Sequence, residues 1–167
     1  MRELFEVLPH KGIYDLSNNQ VLLDTCFFIH TFQNKNEKKL RELMISWNVA
    51  MTSFNVQEFL FKEHSIDERV REYARKFLKR YPITIIDVNV TPGELDKERS
   101  FIFDTDPELL NDVKDMSDGV LIATAIRTRS IVLTKDKHHL FTVKLEEYLK
   151  KYGISVYKEF HELLSIN

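Results

Sequence analysis

The sequence predicts an α/β domain built on a mainly parallel sheet. Three observations predict it. Short β-branched runs alternate with helical stretches along the whole chain. Acidic residues stand just after several of those runs, where parallel α/β sheets gather their functional groups. The 167 residues are 43% apolar and 30% charged, enough for one cored domain with at most a short extension.

Residues 1–19 read as an N-terminal extension packed on the domain, which itself spans 20–167. Val21-Leu22-Leu23 reads as the first strand, followed by a turn and the apolar run Phe27-Phe28-Ile29. A helix fits 37–47, with Leu40, Leu43, Met44 and Trp47 on one face. Val49-Ala50-Met51 reads as a short strand leading into a helix that starts close to Asn55. The stripe Val70, Tyr73, Ala74, Phe77, Leu78 and Tyr81 predicts a helix over 67–81, which Pro82 stops. Ile83-Thr84-Ile85-Ile86 follows as a strand.

The stretch 89–105 carries no clear period, although Thr91-Pro92-Gly93 has turn chemistry. Asp106-Pro107 reads as the start of a helix reaching about 114. Residues 117–128 are apolar nearly all round, as in a helix buried against a sheet. Ile131-Val132-Leu133-Thr134 reads as a strand. A helix over 142–152 ends at Gly153, and a last strand (154–157) and helix (158–164) complete the pattern.

Composition excludes several classes. Four Gly and four Pro exclude collagen-like and low-complexity chains. No run approaches the ~18 apolar residues of a membrane span, and Met1 to Glu6 lacks the apolar core of a signal peptide. The expectation is therefore no membrane association and a cytoplasmic location. The single cysteine, Cys26, allows neither an internal disulfide nor a Cys-based zinc site. Lying in an apolar run, it reads as a small buried hydrophobe. A net charge of −2 announces no nucleic-acid partner, though local basic faces decide that question.

The chemistry rests on four acids. Asp24 directly follows the first strand, and Asp136 follows the strand at 131–134 with one residue between. Glu58 and Asp118 fall in early turns of the two helices expected from about 55 and from 117. Four carboxylates at one sheet edge repel one another. Mg²⁺ or Mn²⁺, which take carboxylate and water oxygens, would relieve that repulsion and activate a water against a phosphodiester. Each acid alone also has a plain structural reading. Asp24 can cap a helix, Glu58 can pair with Asn55 in a capping box, Asp118 can answer a helix dipole, and Asp136 can sit in a solvated turn. Their joint placement is the signal.

Four segments resemble the PIN-domain nucleases, a family that includes VapC-type ribonucleases. Val21-Leu22-Leu23-Asp24-Thr25 resembles the opening strand with its first metal-binding Asp. Residues 52–59 resemble the segment that presents the family's Glu. Ser117-Asp118-Gly119-Val120-Leu121-Ile122-Ala123-Thr124-Ala125 resembles the family's Asp-led helix. Val132-Leu133-Thr134-Lys135-Asp136 is similar to its V-L-T-x-D strand.

The resemblance covers about 20–157 and implies a three-layer α/β/α fold. It implies a Mg²⁺- or Mn²⁺-dependent ribonuclease, endonucleolytic, with Asp24, Glu58, Asp118 and Asp136 as catalytic and metal-binding acids. Ser117 and Thr134 would orient ligands or water. It further implies an RNA substrate, a role as a toxin of a toxin–antitoxin pair or as an RNA-processing enzyme, and an antitoxin or other protein partner or a homodimer. Residues 1–19 and 88–107 lie outside the family pattern.

Between residues 62 and 80, seven basic side chains stand against four acidic ones. Arg75, Lys76, Lys79 and Arg80 read as the unopposed surplus, a face for RNA phosphates or simply a solvated helix end. Lys135 and Lys137 flank the last acid and could touch the same backbone; His138-His139 reads as a surface turn.

Two rival readings remain. Phe101-Ile102-Phe103-Asp104-Thr105-Asp106 has the form of a D-x-D motif after an apolar run, as in haloacid-dehalogenase-like phosphatases or metal-using glycosyltransferases. The other is a non-catalytic PIN-like module that binds RNA or protein.

Overall fold

The computed structural model describes residues 1–15, 17–135 and 143–166. The chain opens with helix α1 (Arg2–Glu6) and strand β1 (His10–Gly12), then β2 (Gln20–Leu23), α2 (Thr25–Gln33) and α3 (Glu37–Ser46). Next come β3 (Asn48–Thr52), α4 (Ser53–Lys62), a short 3₁₀ turn, α5 (Glu68–Arg80) and β4 (Thr84–Asp87). Helices α6 (Leu95–Thr105), α7 (Leu109–Asp112) and α8 (Met116–Thr128) follow. Strand β5 (Ile131–Leu133), α9 (Val143–Lys150), β6 (Val156–Tyr157) and α10 (Phe160–Leu164) complete the described chain.

The described strands form one sheet in the order β1-β4-β3-β2-β5-β6, every pair parallel. Side chains on a strand alternate between faces, and here the alternation divides the core in two. Val21, Leu23, Val49, Met51, Ile83, Ile85 and Leu133 join the phenylalanines of α1, α2, α4 and α5 and the apolar residues of α3 and α10. Leu22, Ala50, Ile86 and Val132 face the other way, onto α6, α7, α8 and α9. The result is the expected three-layer α/β/α arrangement. Both faces are covered, so the strands read as continuous apolar runs.

An aromatic chain holds the first layer. Phe28 packs edge-on against Phe32 and Phe59 at centroid distances of 5.1 and 5.5 Å, and Phe32 against Phe77 at 5.5 Å. Such contacts add about 0.5–1.5 kcal/mol each beyond burial. They lock α2 against α4 and α5, and thereby fix the two helix starts that matter below. Residues 1–19 feed the same layer: Phe5 packs on Phe59 at 5.7 Å. Strand β1 pairs with β4, His10 opposite Ile85.

Several boundaries differ from expectation for identifiable reasons. No turn follows the first strand: α2 begins at Thr25, because Phe28 and Phe32 are one helical turn apart and both are buried. Helix α4 begins at Ser53, not near Asn55, since the Thr52 hydroxyl caps it by accepting from the Asn55 amide at 2.9 Å. The stretch without a clear period holds α6. Its inward side includes Glu98, only 2% exposed, whose Oε1 accepts from the Gly93 amide at 2.7 Å. A buried carboxylate in the stripe hid the helical period. Gly93 itself turns the chain at φ 92°, a conformation suited to glycine. The helix expected from Asp106 shortens to α7.

Candidate metal centre

The strand order changes direction at β2, with β3 on one side and β5 on the other. A crevice opens beyond the carboxyl ends of strands at such a point. Asp24 stands there. Its backbone amide continues the ladder by donating to the Leu133 carbonyl at 2.9 Å, while its residue takes the N-cap place of α2. The side chain makes no capping bond. Instead Oδ2 accepts from the Thr134 hydroxyl at 2.7 Å and from the Cys26 thiol. Asp24 is thus 8% exposed and held by two donors. The reading of Asp24 as a helix cap is thus right about its position and wrong about a capping bond.

Cys26 corrects an expectation. It is exposed as a residue rather than buried, and its thiol is turned onto Asp24. Its Sγ also accepts from the Lys135 amide at 3.4 Å. Loss of water around the sulfur, and then the Asp24 charge, push the thiol up to about 12. It stays protonated and donates.

Glu58, on α4, is positioned by a second buried network. The Thr25 hydroxyl lies 2.9 Å from Glu58 Oε2, and Asn55 Nδ2 donates to the same oxygen at 3.1 Å. Thr52 donates to Asn55 Oδ1 at 2.6 Å, which orients that amide. Asn55 is therefore not a cap partner of Glu58 but its support. Desolvation raises the Glu58 carboxyl pKa, with a smaller push from Asp24; the Thr25 bond and the charge of Lys62 pull it back. On both Asp24 and Glu58 the bonds fall on one oxygen, and the other carries none among the described residues.

Helix α8 brings the third acid. Asp115 caps it, Oδ1 accepting from the Ser117 amide at 2.8 Å, and Asp118 follows in the first turn. Asp24, Thr25, Cys26, Asn55, Glu58, Lys62, Asp115, Ser117 and Asp118 line one open cleft of about 350 Å³. Three of the four expected acids share it. Asp136, Lys137, His138 and His139 lie outside the described residues. Thr25, Asn55, Lys62 and Asp115 were not singled out from sequence as parts of the site. For Asp115 a signal existed, since an Asp three residues before Asp118 opens the apolar helix. For Thr25 and Asn55 it did not, because their roles depend on a bond across two helices.

The donor set, carboxylates with hydroxyls behind them, suits a hard divalent cation. Among the described residues no three acidic, His or Cys side chains close into a metal-holding cluster on their own.

The expected basic face is arranged differently. Arg75 and Lys76 both pair with Glu72, at 3.2 and 3.5 Å, so they are not unopposed. One helical turn separates the partners, a spacing the residue count overlooked. Arg80 lies over the Tyr81 ring, and Lys79 lines a groove with Arg75 against α1. Lys135 pairs with Glu159. No residue of α5 lines the acidic cleft. The D-x-D reading is overturned as well. Asp104 sits within α6, and Asp106 ends it, accepting from the hydroxyls of Tyr148 and Tyr152 rather than following a strand.

An all-parallel α/β/α sheet whose direction change gathers carboxylates from the end of β2, from α4 and from the first turn of α8 defines a class of protein with an acidic cleft at the carboxyl ends of its strands. The model of the PIN domain matches residues 21–143. The chain belongs to the PIN domain family, whose members are typically nucleases. It is similar in fold to VapBC2 from Rickettsia felis bound to a DNA fragment from its promoter, at 12% identity and a TM-score of 0.56, over 83% of this chain and 98% of that one. It is equally similar to DNA-bound VapBC from Salmonella typhimurium, at 16% identity and a TM-score of 0.56, over 83% and 97%. No curated protein matches. No described helix is long and apolar enough to cross a membrane.

Proposed function

We propose that this protein is a metal-dependent endoribonuclease that hydrolyses RNA phosphodiesters to a 5′-phosphate and a 3′-hydroxyl. The observation that carries the reading is the buried Asp24 carboxylate, bonded through one oxygen and sharing its cleft with Glu58 and Asp118. Residues 20–167 form the nuclease domain in this reading and residues 1–19 an extension packed on it. Asp24, Asp118 and Asp136 would hold Mg²⁺ or Mn²⁺, with Glu58 as a further ligand or as the group that orients the attacking water. When bound, the cation supplies an activated water and offsets charge on the phosphate.

The protein's own residues do the rest. Thr134 and Cys26 hold Asp24 in place. Thr25 and Asn55 present Glu58, whose raised pKa suits a group that shares a proton with water. Ser117 shares the cleft with Asp118 and would orient it or a bound water. A cytoplasmic toxin with an antitoxin partner, or an RNA-processing enzyme, both fit this chemistry; a homodimer is the expected assembly. The fold shared with the VapBC structures supports the toxin alternative.

The test is cleavage of a labelled structured RNA by wild type, Asp24→Asn and Asp118→Asn, with Mg²⁺, Mn²⁺ or EDTA. Cleavage by wild type with metal, lost by orders of magnitude in both folded variants and in EDTA, is the expected result. Equal cleavage by a clean Asp24→Asn preparation would sink the reading.

A further inference from the structure

The acidic cleft contains one residue of opposite sign among its described lining: Lys62, in the last turn of α4. It is one helical turn beyond Glu58, on the same side of the helix. The ordinary role of such a Glu–Lys spacing is an ion pair on a helix surface. That pair is not formed here: Glu58 is bonded to Thr25 and Asn55, and the Lys62 ammonium has no ion pair or hydrogen bond among the described residues. Neighbouring cations are used differently. Lys135 is held by Glu159, and Arg75 and Lys76 by Glu72.

A chain of phosphodiesters entering this cleft meets carboxylates from both walls. An exposed ammonium beside them is the one described lining group whose charge attracts a phosphate. Its long flexible stem and point charge suit contact with a phosphate oxygen rather than with a base.

We propose that Lys62 is a substrate-positioning residue that holds a backbone phosphate of single-stranded RNA at the mouth of the cleft. The inference rests on the nuclease reading for its substrate, but binding tests it without cleavage.

The measurement is binding of a labelled single-stranded RNA oligonucleotide by the whole chain in EDTA, across a range of salt concentrations. Wild type, Lys62→Gln and Lys62→Arg are compared. Lys62→Gln should bind about fivefold more weakly, as expected for one exposed charge pair. Its plot of log K against log salt should be shallower by about 0.7, the share of one phosphate on a single strand. Lys62→Arg should restore both. With metal present, Lys62→Gln should raise KM more than it lowers kcat. Unchanged affinity and slope in Lys62→Gln, or no RNA binding by wild type, would overturn the inference. Binding that depends on Lys62 without any metal-dependent cleavage would refute the nuclease reading and leave the inference standing. Cleavage indifferent to Lys62 would do the reverse.

Discussion

The Thr134 hydroxyl illustrates how much a single buried contact decides. Thr134 is fully buried and donates to the Asp24 oxygen that also receives the Cys26 thiol. Without that bond the carboxylate can rotate, and its unbonded oxygen loses its direction. Groups that orient a metal-binding carboxylate are worth about 10–100-fold in metal affinity or activity. If the protein is the nuclease proposed above, Thr134→Val, nearly the same shape, should therefore lower RNA cleavage by about that factor. Thr134→Ser should recover most of it. Cleavage rates over a Mn²⁺ titration, with a circular dichroism check of folding, would show this; wild-type rates in Thr134→Val would remove Thr134 from the site. Asp24 was legible in the sequence because it directly follows the run Val21-Leu22-Leu23, whereas Thr134 was read as the end of its strand and its orienting role came only from the resemblance to the PIN-domain nucleases. Cys26 was misread because the residues around it are apolar, while its own side chain is on the α2 side that meets the strand ends.

The helix pair α6–α8 sets the position of Asp118, and Gly119 is where the two approach. A Cβ at residue 119 would lie 2.5 Å from Ile102 Cδ1 and 3.1 Å from Val113 Cγ1. Alanine normally gains about 1 kcal/mol over glycine in a helix. Overpacking a closed core costs about 1–3 kcal/mol, and Ile102, with 0% exposure, cannot swing its methyl into solvent. The packing cost wins, so Gly119→Ala should destabilise by about 1 kcal/mol or more. Adding Ile102→Val, which removes the clashing methyl, should return part of the loss. Urea denaturation midpoints test both. An unchanged midpoint in Gly119→Ala would mean that α6 yields. The existence of α8 was plain from its apolar run, whereas α6 was not, because its stripe contains Glu98 and only Ile102 as a buried apolar residue.

Across the whole molecule, β1 closes one edge of the sheet, and its attachment should respond to pH. His10 Nδ1 is 2.8 Å from Asp87 Oδ1, bridging β1 and β4. The bond to Asp87 raises the His10 pKa, against a smaller opposing effect of burial, and the Phe5 carbonyl adds to the rise. A histidine whose folded pKa exceeds its unfolded value near 6.5 stabilises fully below that value. The contribution disappears as pH rises through the folded pKa. Both side chains are more than a third exposed, so water and salt screen the effect and it is small. Wild type should therefore exceed Asp87→Asn in stability at about pH 6 and converge with it at about pH 8. Thermal denaturation at the two pH values checks the sign. A gap that is the same at both would show that the pair adds nothing through protonation.

Periodicity and order along the chain were sufficient for the α/β class, the parallel sheet and the existence of the two helices that carry Glu58 and Asp118. That is because each depends on residues within a turn or a strand of one another. The positions of Asp24 and Thr134 at strand ends were legible for the same reason. What the linear order could not contain is the pairing across the sheet and between helices. Glu58 and Asp24 share a cleft because phenylalanines from α1, α2, α4 and α5 lock together. Thr25 and Asn55, 30 residues apart, meet only after that packing. The charge of α5 was misjudged because Glu72 is counted as one acid in a list but reaches two cations in space. Local patterns follow from backbone geometry, which the sequence carries residue by residue; the chemistry of the cleft follows from long-range burial, which brings distant side chains within hydrogen-bond reach.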